Sequence, residues 1–148
     1  MQRYTTFPVT LFRIQPRLPV GLREHAAQMA KNRTSFDLKT HAGLVQPMVG
    51  DTFHTPNGMS LRPVGPKMIS ILENFKGDPR IYRMQEGTPV PKSFVVIHEH
   101  SDHYSMQVAE PMTLNDLNGK LTAYLESLPS QSKQEFLDQW NDEDDQDN

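Results

Sequence analysis

His98, Glu99, His100, Ser101, Asp102 and His103 spell HxHxDH, the densest group of chemically capable side chains in the chain. Neutral imidazoles and a carboxylate at that spacing can hold one or two zinc ions, but a hydrolytic zinc site also draws ligands from later segments. No histidine follows His103, and the next stretch, Tyr104 to Met112, alternates like a strand. The group therefore reads first as the two sides of a hairpin turn that carries titratable side chains.

The elements around it follow from periodicity. Phe94, Val95, Val96 and Ile97 form the most apolar run and predict a core strand, paired as a hairpin with His103 to Ala109 across a turn near Glu99 to Asp102. Upstream, Phe7 to Ile14 predicts a first strand, with Pro8 at its edge and Pro16 beyond its end. Leu22, Ala26, Met29 and Ala30 predict an amphipathic helix over 22–32, and Met68, Ile71, Leu72 and Phe75 predict a short one after Pro66. Residues 80–84 read as a strand, and Glu86 to Pro91 as a rigid turn. Thr113 to Asp116 resembles a capping box opening a helix whose Leu117, Leu121, Tyr124 and Leu125 face the core, closed by Pro129. A short last helix is expected around Phe136, Leu137 and Trp140. Between Lys39 and Pro66, glycines and prolines punctuate short extended pieces, as in a loose segment or a ligand-binding face.

Composition narrows the function classes. A length of 148 residues suits one domain, over 1–140, with 141–148 expected as a disordered acidic tail. The net charge is −3, but Asp142, Glu143, Asp144, Asp145 and Asp147 supply five negative charges, so the body is close to neutral. It lacks the basic footprint that phosphate-backbone binding requires, and no nucleic acid is indicated. The absence of cysteine excludes disulfides and thiolate metal sites. No apolar run is long enough for a membrane span, and the first residues lack a signal core, so cytoplasmic action is expected.

Several segments resemble one family. Residues Gly87 to Pro91, His103 to Ser105, Ala109 to Met112 and the helix Leu117 to Leu125 are similar to the C-terminal half of a bacterial type VI secretion effector toxin with an ADP-ribosyltransferase-like fold, which fungal proteins also resemble. Thr10 to Arg13 resembles that family's opening strand, and Asn57 to Ser60 its Gly-x-Ser segment. The run from His98 to Met112 is the most specific part. The resemblance implies an α+β domain, an ADP-ribosyltransferase-like split β-sandwich with flanking helices, gripping NAD as substrate in a cleft. The implied reaction is transfer of ADP-ribose to an unknown acceptor, or NAD hydrolysis, in a toxin to which an immunity protein could answer.

The same resemblance supplies the site. Arg13 matches the position where the fold carries an arginine or histidine, suited to ribose or pyrophosphate oxygens. Ser60 matches the second motif, which orients nicotinamide. His103 and Tyr104 match the family's His-Tyr pair; strand alternation sends one of the two into the cleft and the other into the core unless a bulge intervenes, and His103 is the one assigned to the cleft. Where such transferases commonly place a third-motif glutamate against the developing oxocarbenium charge, this strand offers Ser105 and Gln107. His103 and Gln107 are accordingly the catalytic candidates, and Arg13, Ser60 and Tyr104 the cofactor-binding ones. Glu99 and Glu110 are the nearest carboxylates, both expected as solvated flanks of the sheet. Phe53 or His54 could supply a stacking ring beside Ser60.

Two other classes stay open. A non-catalytic protein-interaction module on the same fold accounts for the missing glutamate. A zinc-dependent hydrolase, of the metallo-hydrolase kind with a β-lactamase fold, accounts for HxHxDH, although the expectation is a protein without a metal site.

Overall fold

A computed structural model describes residues 2–48 and 56–146, with the backbone alone for 141–146. The strands are β1 (Gln2–Tyr4), β2 (Leu11–Gln15), β3 (Thr40–His41), β4 (Leu44–Val45), β5 (Met59–Leu61), β6 (Arg80–Met84), β7 (Phe94–His100), β8 (His103–Val108) and β9 (Ser130–Ser132). The helices are α1 (His25–Ala30), α2 (Pro66–Glu73), α3 (Leu114–Glu126) and α4 (Lys133–Gln146), the last running into the segment read as a tail. The class is α+β, as expected.

Three antiparallel sheets form: β1-β7-β8-β5, β2-β6-β9 and the small pair β3-β4. The hairpin β7-β8 is the centre of the first, because its apolar residues alternate in register. Phe94 faces Val108, Val96 faces Met106, and His98 faces Tyr104. Cross-strand pairs share a face, so Phe94, Val96, Tyr104, Met106 and Val108 enter one buried cluster together with Met59 and Leu61 of β5. Leu11, Tyr82 and Met84 of the second sheet, and Leu117, Leu121 and Leu125 of α3, complete that cluster. A smaller core, Met68, Leu72, Ile81 and Phe136, lies on the other side of the second sheet, with Phe12 and Ile14 packed against it.

The two larger sheets meet where β2 passes the end of β5. Phe12 and Arg62 exchange backbone hydrogen bonds of 2.8 and 3.1 Å there, an isolated bridge across the split. The turn at 86–91 secures the chain start: Gly87, at φ 85°, lets its amide reach Phe7 O, while Phe7 and Val90 donate to Thr88 O and Thr5 O.

Several local expectations change. The first strand starts at Leu11, preceded by an additional strand, β1, and β9 had no propensity signal. The helix expected over 22–32 is six residues long: of its predicted apolar stripe Leu22 is buried but precedes the helix, Ala26, Met29 and Ala30 are exposed, and Gln28 is the buried helical residue, donating to Ser35 O at 2.9 Å. A single turn and a half is placed by its loop contacts, not by amphipathic packing. The Thr113 cap forms as expected, its hydroxyl accepting from Asp116 N at 3.1 Å.

Candidate functional site

Ser60 is where the site residues meet. β5 pairs with β8 so that Ser60 lies opposite Ser105, and its side chain leaves the core face that Met59 and Leu61 occupy. Close approach of the chains makes this pairing possible. A Cβ added at Gly58 would stand 2.2 Å from Met106 O, so the residue leading into β5 has to lack a side chain.

Arg13 reaches Ser60 from the second sheet. Its Nη1 donates to Ser60 O at 3.3 Å and its Nε donates to Gln15 Oε1 at 2.9 Å. Among the described residues no carboxylate forms an ion pair with it. Burial lowers its pKa to about 10, with the more distant Asp37 pulling back up and Arg23 pushing down. The guanidinium stays cationic at neutral pH, yet it is held where charge is costly and where an anion would be welcome.

His103 reaches Ser60 from β8. Its Nε2 lies 3.2 Å from Ser60 Oγ, while its Nδ1 meets Glu99 Oε2. The Glu99 side chain is 2 % exposed, and its other carboxylate oxygen has no hydrogen-bond partner. The expectation of a solvated flank fails here for a physical reason. Glu99 has the parity of Val95 and Ile97, whose partners are Gln107 and Ser105, so alternation carries it to the face of His103; the register slips only beyond it, where His100 takes the place opposite His103. Ser101, at φ 38°, closes the turn. Glu110, by contrast, is exposed at the far end of β8.

Thus Arg13 and His103, brought from two other strands, both reach Ser60, one at its carbonyl and one at its hydroxyl. Tyr104 and Gln107 do not join them. Alternation turns Tyr104 into the core, stacked on His98 with ring centroids 4.2 Å apart. Gln107 shares the face of His103 but is buried, donating to Ser105 Oγ at 2.8 Å and accepting from Asn57 Nδ2 at 3.4 Å. Phe53 and His54 lie outside the described residues.

The HxHxDH residues contact one another and their neighbours in pairs, the His100 and His103 rings stacking with centroids 5.3 Å apart. The His98 ring packs on Tyr104, Asp102 pairs with Arg62 at 2.7 Å, and His103 pairs with Glu99. Among the described residues no three His, Asp or Glu side chains are arranged to hold a metal ion.

An open cavity of about 260 Å³ lies between α2 and the junction of the sheets. Arg13, Ser60 and Arg62 supply its polar wall, and Phe12, Ile71 and Phe75 part of its apolar wall. His103 stands behind Ser60 and touches its hydroxyl, without lining the cavity itself.

An α+β domain whose two sheets part around a cationic and hydroxyl-bearing seam has the layout of an ADP-ribosyltransferase. The sequence model of the Tse2 ADP-ribosyltransferase toxin family matches residues 9–137, and the chain belongs to that family. No curated protein matches it in sequence. The matched span contains Arg13, Ser60, Glu99 and His103.

Proposed function

We propose that the cavity beside Ser60 takes the nicotinamide-ribose end of NAD and that the chain transfers ADP-ribose from it, to an acceptor or to water. The carrying observation is the convergence of Arg13, Ser60 and His103 on one seam. Arg13 suits the substrate's pyrophosphate or ribose oxygens, since its fork is planar, charged and without a carboxylate partner among the described residues. The cavity falls a little below the range of about 300–1,000 Å³ usual for ligand sites, which fits one end of a dinucleotide with the remainder lying over the surface. Phe12 and Phe75 offer aromatic surface to the nicotinamide. Ser60, backed by His103, faces the ribose, where positive charge develops as the glycosidic bond breaks.

A toxin of this kind would act in the cytoplasm, where NAD is abundant, after delivery by a secretion system, and a dedicated immunity protein would protect the producer by covering the seam. No helix among the described residues is long and apolar enough to cross a membrane. Incubating the purified protein with NAD and following nicotinamide release tests the reading. Release above buffer is expected, reduced about 100-fold or more in His103→Ala and strongly in Arg13→Ala. Wild-type release no faster than buffer, together with no thermal shift by NAD, would discard it in favour of a non-catalytic interaction module.

A further inference from the structure

The structure assigns Glu99 as a positioning residue: through His103 it forms a carboxylate–imidazole–hydroxyl relay that makes the Ser60 oxygen electron-rich. This inference rests on the NAD reading for its role in the reaction, but not for its geometry. The order of contacts carries it. Glu99 Oε2 is in ion-pair contact with His103 Nδ1, which has no hydrogen-bond partner as placed, and His103 Nε2 lies 3.2 Å from Ser60 Oγ. An ionised carboxylate can only accept, so the proton between Glu99 and His103 belongs on Nδ1. In the neutral imidazole that choice leaves the Nε2 lone pair facing Ser60, and the serine hydroxyl then donates to it. A hydroxyl that donates to a base presents its oxygen lone pairs, with increased electron density, to whatever lies in front of it. Ser60 lines the cavity and is the point at which the relay reaches it.

The relay answers a chemical question left by the strand itself. Ser105 and Gln107 are neutral, buried and bonded to each other, so β8 offers no carboxylate to oppose positive charge on the ribose. Glu99 supplies that charge one imidazole away. Its shielding from water preserves the effect, because electrostatic interactions weaken less where solvent is excluded. Its remaining oxygen, buried and without a hydrogen-bond partner, adds a reason for this carboxylate to be held for its charge: a purely structural buried acid is ordinarily satisfied at both oxygens.

Two measurements separate the outcomes. Nitrogen-15 spectra of the imidazoles at mildly alkaline pH report the His103 tautomer without any NAD. In wild type Nδ1 should carry the proton, the reverse of the preference of a free imidazole. Glu99→Gln, whose amide can donate to Nδ1, should shift the ring toward the other tautomer, and Glu99→Asp should keep the wild-type form. In turnover with NAD, Glu99→Gln should lower kcat at least tenfold with little change in KM, Glu99→Asp should recover part of it, and Glu99→Gln combined with His103→Ala should be no worse than His103→Ala alone. A wild-type His103 protonated on Nε2, or a Glu99→Gln protein with an unchanged tautomer, overturns the relay. Should Glu99→Gln fail to fold, the wild-type tautomer alone decides: a proton on Nδ1 supports the relay and a proton on Nε2 overturns it. Wild type without NAD turnover would remove the proposed reaction while the spectra still test the relay.

Discussion

Arg13 combines a stability cost with a proposed binding role, and the two can be separated by experiment. Burial depresses its pKa to about 10, below the ordinary arginine value. A cation whose folded-state pKa is lowered destabilises the fold at every pH below that pKa, and the cost fades as pH rises from about 10 toward the unfolded value. Arg13→Met removes the cost but also loses bonds to Gln15 and to the Ser60 carbonyl, each worth about 1 kcal/mol. The net expectation is a gain of roughly 1 kcal/mol at pH 7 by denaturant unfolding, shrinking above pH 10, with loss of stabilisation by NAD. A variant less stable than wild type at neutral pH would show that Arg13 is matched by its surroundings and not poised for an anion. Sequence found Arg13, Ser60 and His103 through motif resemblance, since each by itself is an ordinary strand or turn residue. Glu99 was visible only as the nearest carboxylate. Its parity with Val95 and Ile97 places it on the face of His103, but the turn expected over 99–102 hid that β7 runs on as far as His100.

At the scale of elements, β5 is the piece on which the site depends most and the piece that propensity described least. Three residues cannot hold a strand by themselves; Met59 to Leu61 are extended because β8 pairs with them. The same holds for β1 and β9, both three residues long and both settled by partners far away in sequence. The long elements were legible for the opposite reason: β6, β7, β8 and α3 carry enough periodic apolar residues to declare themselves. Gly58→Ala should therefore be disproportionately harmful. Its new Cβ would meet a backbone carbonyl, which cannot swing aside as a side-chain tip would, so β5 must draw away from β8 and take Ser60 from His103. We expect a loss of more than about 2 kcal/mol in unfolding experiments and loss of any NAD response; wild-type stability in that variant would mean that β5 tolerates displacement. Thr113→Ala offers the contrast, costing about 1 kcal/mol through the lost cap while leaving turnover per folded molecule unchanged.

For the molecule as a whole, the site exists because one core joins two sheets. Leu11, Tyr82 and Met84 from one sheet and Met59, Leu61 and Met106 from the other belong to a single buried cluster, closed by Leu117, Leu121 and Leu125 of α3. Sequence could name most of these residues as apolar and inward-facing, but not that β2 would pass the end of β5, because that contact joins residues far apart in the chain through backbone atoms alone, Phe12 with Arg62. The bridge gives a direct test of whether the seam opens independently of the fold. If the shared core makes the sheets one cooperative unit, the amides of Phe12 and Arg62 exchange with solvent as slowly as those in the middle of β7 and β8, at the free energy of global unfolding. NAD, gripped from both sides, should slow both amides together, by about 100-fold when present at about 100 times its dissociation constant. Slowing confined to one of the two would place the ligand on a single sheet. Equal protection that NAD leaves unchanged would separate the architecture of the split from any role in holding the substrate, because a ligand bound to both walls must raise the free energy of parting them.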